Sequence, residues 1–142
     1  MKWFVLIIII LFISYKLISF ISTFHLYAAG TYPYVETYNF PYSEKKVINA
    51  LASLNLKNAN LKDKDTTDYW HDIYFDLEGR RIQAWTRPFD ENNTVFALVA
   101  IYNYNDRQWQ LVNQDLGLFK NIMIKRAFEK DIIDRLEIEL KK

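Results

Sequence analysis

Hydrophobic and polar positions fall into distinct regimes along this chain. Trp3 to Tyr15 carries no charge, and the apolar character continues past Lys16 to Phe24. At 1.5 Å per residue the first block reaches only ~20 Å, whereas residues 3–24 together reach ~33 Å, enough for a ~30 Å hydrocarbon core. An ionised lysine in mid-span costs about 2.5–3.5 kcal/mol, and each Ile, Leu, Val or Phe returns roughly 0.3–0.6. With fifteen such residues between positions 3 and 24 the balance favours insertion. Residues 1–30 are therefore expected to be an N-terminal membrane anchor, and residues 31–142 a separate domain.

The alternative is a signal peptide cleaved near Ala28-Ala29-Gly30. Against it, Leu17, Ile18, Phe20, Ile21 and Phe24 make the stretch after Lys16 too long and too apolar for a cleavage region. Either way the bulk of the chain is expected to cross. Lys2 holds the amino terminus in the cytoplasm, and no Lys or Arg follows between Thr31 and Glu44. The expected protein is single-pass with an extracytoplasmic domain, or secreted or periplasmic if the signal is cut. Lys16, Ser19 and Thr23 recur at helical spacing and form a polar stripe, a candidate seam for a second membrane helix.

After the stiff lead-in "TYPYVETYNFPY", Val35 to Phe40 fits a strand. Ser43 stands at an N-cap position, and Val47, Ile48, Ala50, Leu51 and Leu54 give a helical period to about Leu56. "KNANLKDKDTTD" is polar without period and reads as an exposed loop. Two alternating runs then flank Glu78-Gly79, predicting a hairpin with Phe75 opposite Ile82, Ile73 opposite Ala84, Tyr74 opposite Gln83 and Asp76 opposite Arg81. Glu is not a preferred first residue for a type I′ turn, which leaves a bulged turn open. "TVFALVAIYN" predicts a central strand returning through Asn105-Asp106, with Tyr102 beside Trp109 and Ala100 beside Leu111. Ile124, Phe128, Ile132 and Leu136 step by four along a terminal helix. The class is α+β, of order β-α-β-β-β-β-α, an antiparallel sheet with both helices on one face. In topology alone this order resembles helix-grip and TBP-like folds.

Charge and composition narrow the partners. Eighteen basic against seventeen acidic side chains leave no electrostatic footprint for nucleic acid. The lack of cysteine removes disulfides, thiolate metal ligation and thiol nucleophiles. Asp68, His71, Asp72 and Asp76 are the one cluster that invites a catalytic or metal reading. Strand parity sends His71 to the face opposite Asp72 and Asp76, so no catalytic, cofactor or metal residues are assigned.

A sheet with helices on one side is ordinarily polar on the other. Here the parity places Trp70, Tyr74, Trp85 and Arg87 there, continued by Val95, Val99, Ile101 and Val112. Trp70, Tyr74, Trp85, Arg87, Val99 and Ile101 are thus the candidate surface for a protein partner or a second copy. The competing expectation is a carrier whose helices close a cavity lined by Phe96, Leu98, Tyr102 and Trp109 around a lipid or another apolar ligand.

Overall fold

The computed structural model describes residues 11–16, 34–61 and 70–142. The chain divides into two units, Met1–Pro33 and Tyr34–Lys142. In the first, residues 11–16 are helical, and Lys16 Nζ lies 5.7 Å from the Phe12 ring one turn back. Most of the expected span, and with it Ser19 and Thr23, lies outside the described residues. Among the described residues no helix is long and apolar enough to cross a membrane.

The second unit is an antiparallel sheet of six strands with helices. Its elements are β1 (Glu36–Phe40), α1 (Glu44–Ser53), β2 (Lys57–Asn60), β3 (His71–Leu77), β4 (Arg80–Asp90), β5 (Asn93–Asn103) and β6 (Gln108–Leu111). A continuous terminal helix follows, made of α2 (Leu118–Phe128), a π-helical turn (Glu129–Ile133) and α3 (Asp134–Leu140). In space the strands run β1-β5-β4-β3-β2. The free side of β5 is shared end to end: β1 pairs Thr94 to Leu98, and β6 pairs Ala100 to Asn103. Asn113 closes the gap, its amide donating to Val35 O at 3.0 Å and its backbone N–H to Tyr34 O at 3.2 Å.

The predicted hairpin register is found residue for residue, from Tyr74↔Gln83 to Asp76↔Arg81. Leu77 pairs with Arg80, leaving a two-residue turn in which Glu78 (φ 48°) and Gly79 (φ 75°) are both left-handed. Positive φ at both central positions is the type I′ signature, whose twist matches the strands. The bulged alternative is thereby set aside. Tyr102↔Trp109 and Ala100↔Leu111 also pair as expected.

The expected β-α-β-β-β-β-α order is corrected. Among the described residues five strands follow α1, because "KNAN", expected as loop, forms the short edge strand β2 against β3. It has no alternating pattern to reveal it; what holds it is side-chain bonding at a kink. Asn58 sits at φ 52°, its carbonyl accepts from Arg81 Nη1 at 2.7 Å, and its amide donates to Asp76. With that extra strand and the split edge of β5, the strand order differs from the helix-grip/TBP-like topology. Ser43 is the N-cap residue of α1, but its hydroxyl makes no capping bond.

Both helical segments pack on one face. Val47 and Leu51 of α1, with Ile124, Phe128, Ile132, Leu136 and Leu140, share a core with Phe40, Ile73, Phe75, Ile82, Phe96 and Leu98. Phe128 is its hub, with ring centroids 5.7 Å from Tyr38, 6.2 Å from Phe75 and 5.5 Å from Phe96. A four-residue repeat drifts about 40° per step around an ideal helix of 3.6 residues per turn. Sustained from Ile124 to Leu140 it would rotate off the sheet. The π-turn after Phe128 accommodates wider spacing and keeps all five side chains buried. Two further bonds tie α3 antiparallel to α1: Arg135 Nη2 to Leu54 O and Lys46 Nζ to Leu140 O, both 2.9 Å.

Truncation at the hub opens a cavity between sheet and helix. Phe128→Ala is expected to lower unfolding stability by about 3–5 kcal/mol in chemical denaturation followed by tryptophan fluorescence. A loss below about 1 kcal/mol would show that the two layers do not depend on this contact.

Candidate functional site

The sheet face away from the helices is built around a β-bulge in β5. Leu98 pairs with Ala84 and Ala100 with Gln83, so Leu98 and Ala100 are two residues apart where their partners are adjacent. Val99 is the inserted residue. A single extra residue reverses side-chain parity for everything beyond it. Before the bulge, Val95 and Ala97 face outward; after it, Ala100 does, in one cluster with Trp85 and Val99. Ile101 is thereby turned inward. It pairs with Ile82 and joins the helix-side core, as does Val112.

The placement of Ile101 on the candidate surface is therefore corrected, the cause being a bulge that strict alternation does not foresee. Trp85 and Val99 do lie on the outer face, yet only 4% and 2% exposed. Trp70 packs on Trp85 with centroids 4.1 Å apart, and the Arg87 guanidinium lies 4.6 Å over the Trp70 ring. This cation–π stack covers one end of the face, assisted by Val35 from the lead-in. The Trp85 indole N–H has no hydrogen-bond partner among the described residues.

The other end is where aromatic surface remains open. Tyr74 on β3 and Trp109 on β6 are separated by two strands, about 14 Å of backbone at ~4.8 Å per strand. Their ring centroids are nevertheless 5.8 Å apart. The Tyr74 row runs through Gln83 and Ala100 to Leu111, while Trp109 stands two residues back on β6 opposite Tyr102, so the two rings meet on a diagonal across β4 and β5. Gln83 Nε2 donates to Tyr74 Oη at 3.3 Å, and Ala100, which offers no bulk, is fully buried. Tyr102 meets Trp109 edge-on at 5.3 Å and Tyr104 at 5.0 Å. Trp109 is 40% exposed and Tyr104 61%, so the group ends in an accessible rim.

Tyr102 and Trp109 thus belong to the outer face, while Phe96 and Leu98 lie in the helix-side core. The four side chains expected to line one cavity are divided between two sides of the sheet. The exposed rim was missed for the same reason as Ile101: without the bulge, Tyr102 falls on the helix side.

Polar groups flank the aromatic ones at the β2 edge. Asp76 bonds Asn58 and, at 3.2 Å, Arg81, whose guanidinium stands 6.0 Å from the Tyr74 ring. The Asn58 amide, with Arg81 behind it, holds the Asp76 carboxyl below its ordinary range against an opposing desolvation. Burial, reinforced by the Asp72 carboxylate, raises the Tyr74 phenol above its usual value.

The His/Asp cluster is not gathered. His71 is buried on the helix side with both ring nitrogens unbonded among the described residues, Asp72 is exposed on the other face, and Asp68 lies outside the described residues. Among the described residues no group of three His, Cys, Asp or Glu side chains could hold a metal ion. The outer face carries aromatic rings together with the Arg81 guanidinium, the Gln83 amide and the Asp76 carboxylate. No protein-family model, no curated protein and no solved structure matches this chain.

The Asp76 cluster predicts an acid limb in stability. Its folded-state pKa lies below the unfolded value of ~4, so the unfolded chain binds the proton more readily. Stability from this group is present above pH ~4 and is lost as pH falls through the folded value. Asp76→Asn should flatten the stability profile below pH ~4 and leave its shape near neutrality unchanged. An unaltered acid limb would contradict the assignment.

Proposed function

We propose that this chain is a single-pass envelope protein, anchored through residues 3–24, whose α+β domain binds another protein through the open aromatic end of its sheet. The carrying observation is the rim at Trp109 and Tyr104, supported from below by Tyr74 and Tyr102. Trp, Tyr and Arg dominate binding hot spots, because a stiff ring buries much area at little entropic cost. Arg81 and Gln83 at its edge supply the polar margin such surfaces carry. Anchoring draws its support from the length and apolarity of residues 3–24. The orientation rests on Lys2 and on the absence of Lys and Arg between Thr31 and Glu44.

A photo-crosslinking residue in place of Trp109 is expected to trap a discrete adduct, to a partner or to a second copy, in native membranes. The same group in place of Glu91, exposed in the β4–β5 turn, is not. Trp109→Ala with Tyr104→Ala should weaken that association at least tenfold, the scale of losing one hot spot. Equal crosslinking at both positions, or none at Trp109, would overturn this reading.

A further inference from the structure

The start of α2 presents an apolar surface that the fold does not use. Leu118, Phe119, Ile122 and Met123 are 72%, 82%, 41% and 65% exposed, in a helix whose other side buries Ile124 and Phe128. At about 100° per residue these four side chains fall within an arc of roughly 140°, opposite the buried pair. Their outward direction is fixed from beneath. Asn121 Nδ2 donates to Val112 O at 3.0 Å, Lys125 pairs with Glu36, and Lys120 Nζ reaches Gln110 Oε1 at 2.9 Å.

The charge on α2 is of one sign. Lys120, Lys125 and Arg126 are its ionisable residues, and no acidic side chain occurs between Asp115 and Glu129. On the helical projection Lys120 and Lys125 border the apolar arc on either side, while Arg126 lies within it, one turn beyond Ile122. The nearest carboxylate before the helix is already engaged, since Asp115 Oδ2 accepts from Leu111 N at 2.8 Å. Protruding Leu, Phe, Ile and Met among cations is the arrangement by which a helix enters the interface of an anionic bilayer. Apolar side chains reach the acyl boundary while the exposed Arg126 and Lys120 meet the headgroup phosphates, Lys125 remaining paired with Glu36.

We infer that the stripe Leu118, Phe119, Ile122 and Met123 docks on an anionic phospholipid surface and gives the domain a second, peripheral contact with the bilayer. The inference rests on the anchored reading in one respect, the supply of a nearby membrane. Residues 25–33, at most ~30 Å of extended chain, separate the expected span from the domain. With so short a tether even a weak interfacial contact is strengthened by high effective concentration.

The cysteine-free sequence permits a direct test with the full chain reconstituted into phosphatidylcholine vesicles containing phosphatidylglycerol. A nitroxide is attached at Met123→Cys, at Phe12→Cys in the expected span, or at Glu91→Cys as a solvent control. Oxygen is expected to relax the Met123→Cys label several-fold more effectively than a water-soluble nickel complex does, and the Glu91→Cys label in the reverse order. Lys120→Glu with Arg126→Glu should bring the Met123→Cys label back toward the solvent pattern. A solvent-like Met123→Cys label overturns the docking. So does one shielded from both relaxants but showing close spin–spin coupling between chains, which assigns the stripe to a contact between copies. The Phe12→Cys label reports the anchor separately, so that either proposal can fail without the other.

Discussion

The meeting of sheet and terminal helix at Phe128 is the contact on which the rest of the domain depends. Its ring sits among Tyr38, Phe75 and Phe96, from β1, β3 and β5, and so joins both halves of the sheet to one helix. Tyr38 also donates to Glu129 Oε1 at 3.4 Å, and burial, aided by the Glu129 and Glu36 carboxylates, raises its phenol well above the usual range. A helix fixed there must keep one side on the sheet in both directions. Toward the carboxyl end this calls for the π-turn that holds Ile132 and Leu136 in line. Toward the amino end, Asn121 and Lys125 hold α2 in place, and the outward stripe at Leu118 to Met123 is the consequence.

The opposite face depends on one inserted residue. The bulge at Val99 lets a single long strand serve two surfaces, sending Leu98 and Ile101 to the core and Ala97 and Ala100 outward. Small residues outside leave room for large neighbours to lean over them. That is how Tyr74 can reach Trp109 across two strands, and how an outer face rich in apolar side chains buries most of them within its own layer. What stays exposed is a narrow aromatic edge rather than a broad patch, a size suited to a few strong contacts.

Much of the architecture was legible from local pattern. The β3–β4 register followed from pairing Phe75 with Ile82 and Asp76 with Arg81, and the terminal helix from its four-residue step. Three features were not legible, each for a physical reason. β2 is held by Asn58 side-chain bonding and carries no alternation. The inward turn of Ile101 and the outward turn of Tyr102 follow from a bulge in a run where nearly every residue is apolar, so parity has no polar marker to correct it. The apolar stripe on α2 merges in sequence with the core-facing residues beside it, and burial alone separates Met123 from Ile124.

Together these features describe a domain with two apolar surfaces besides its core, one aromatic on the sheet and one aliphatic and cationic on α2. The proposed docking of the α2 stripe needs a membrane close by, and hence retention of the N-terminal segment. The most direct measurement is the intact mass of the protein extracted from washed native membranes. The expected mass is one in which residues 1–30 are retained. A mass corresponding to a chain beginning near Thr31 would contradict it.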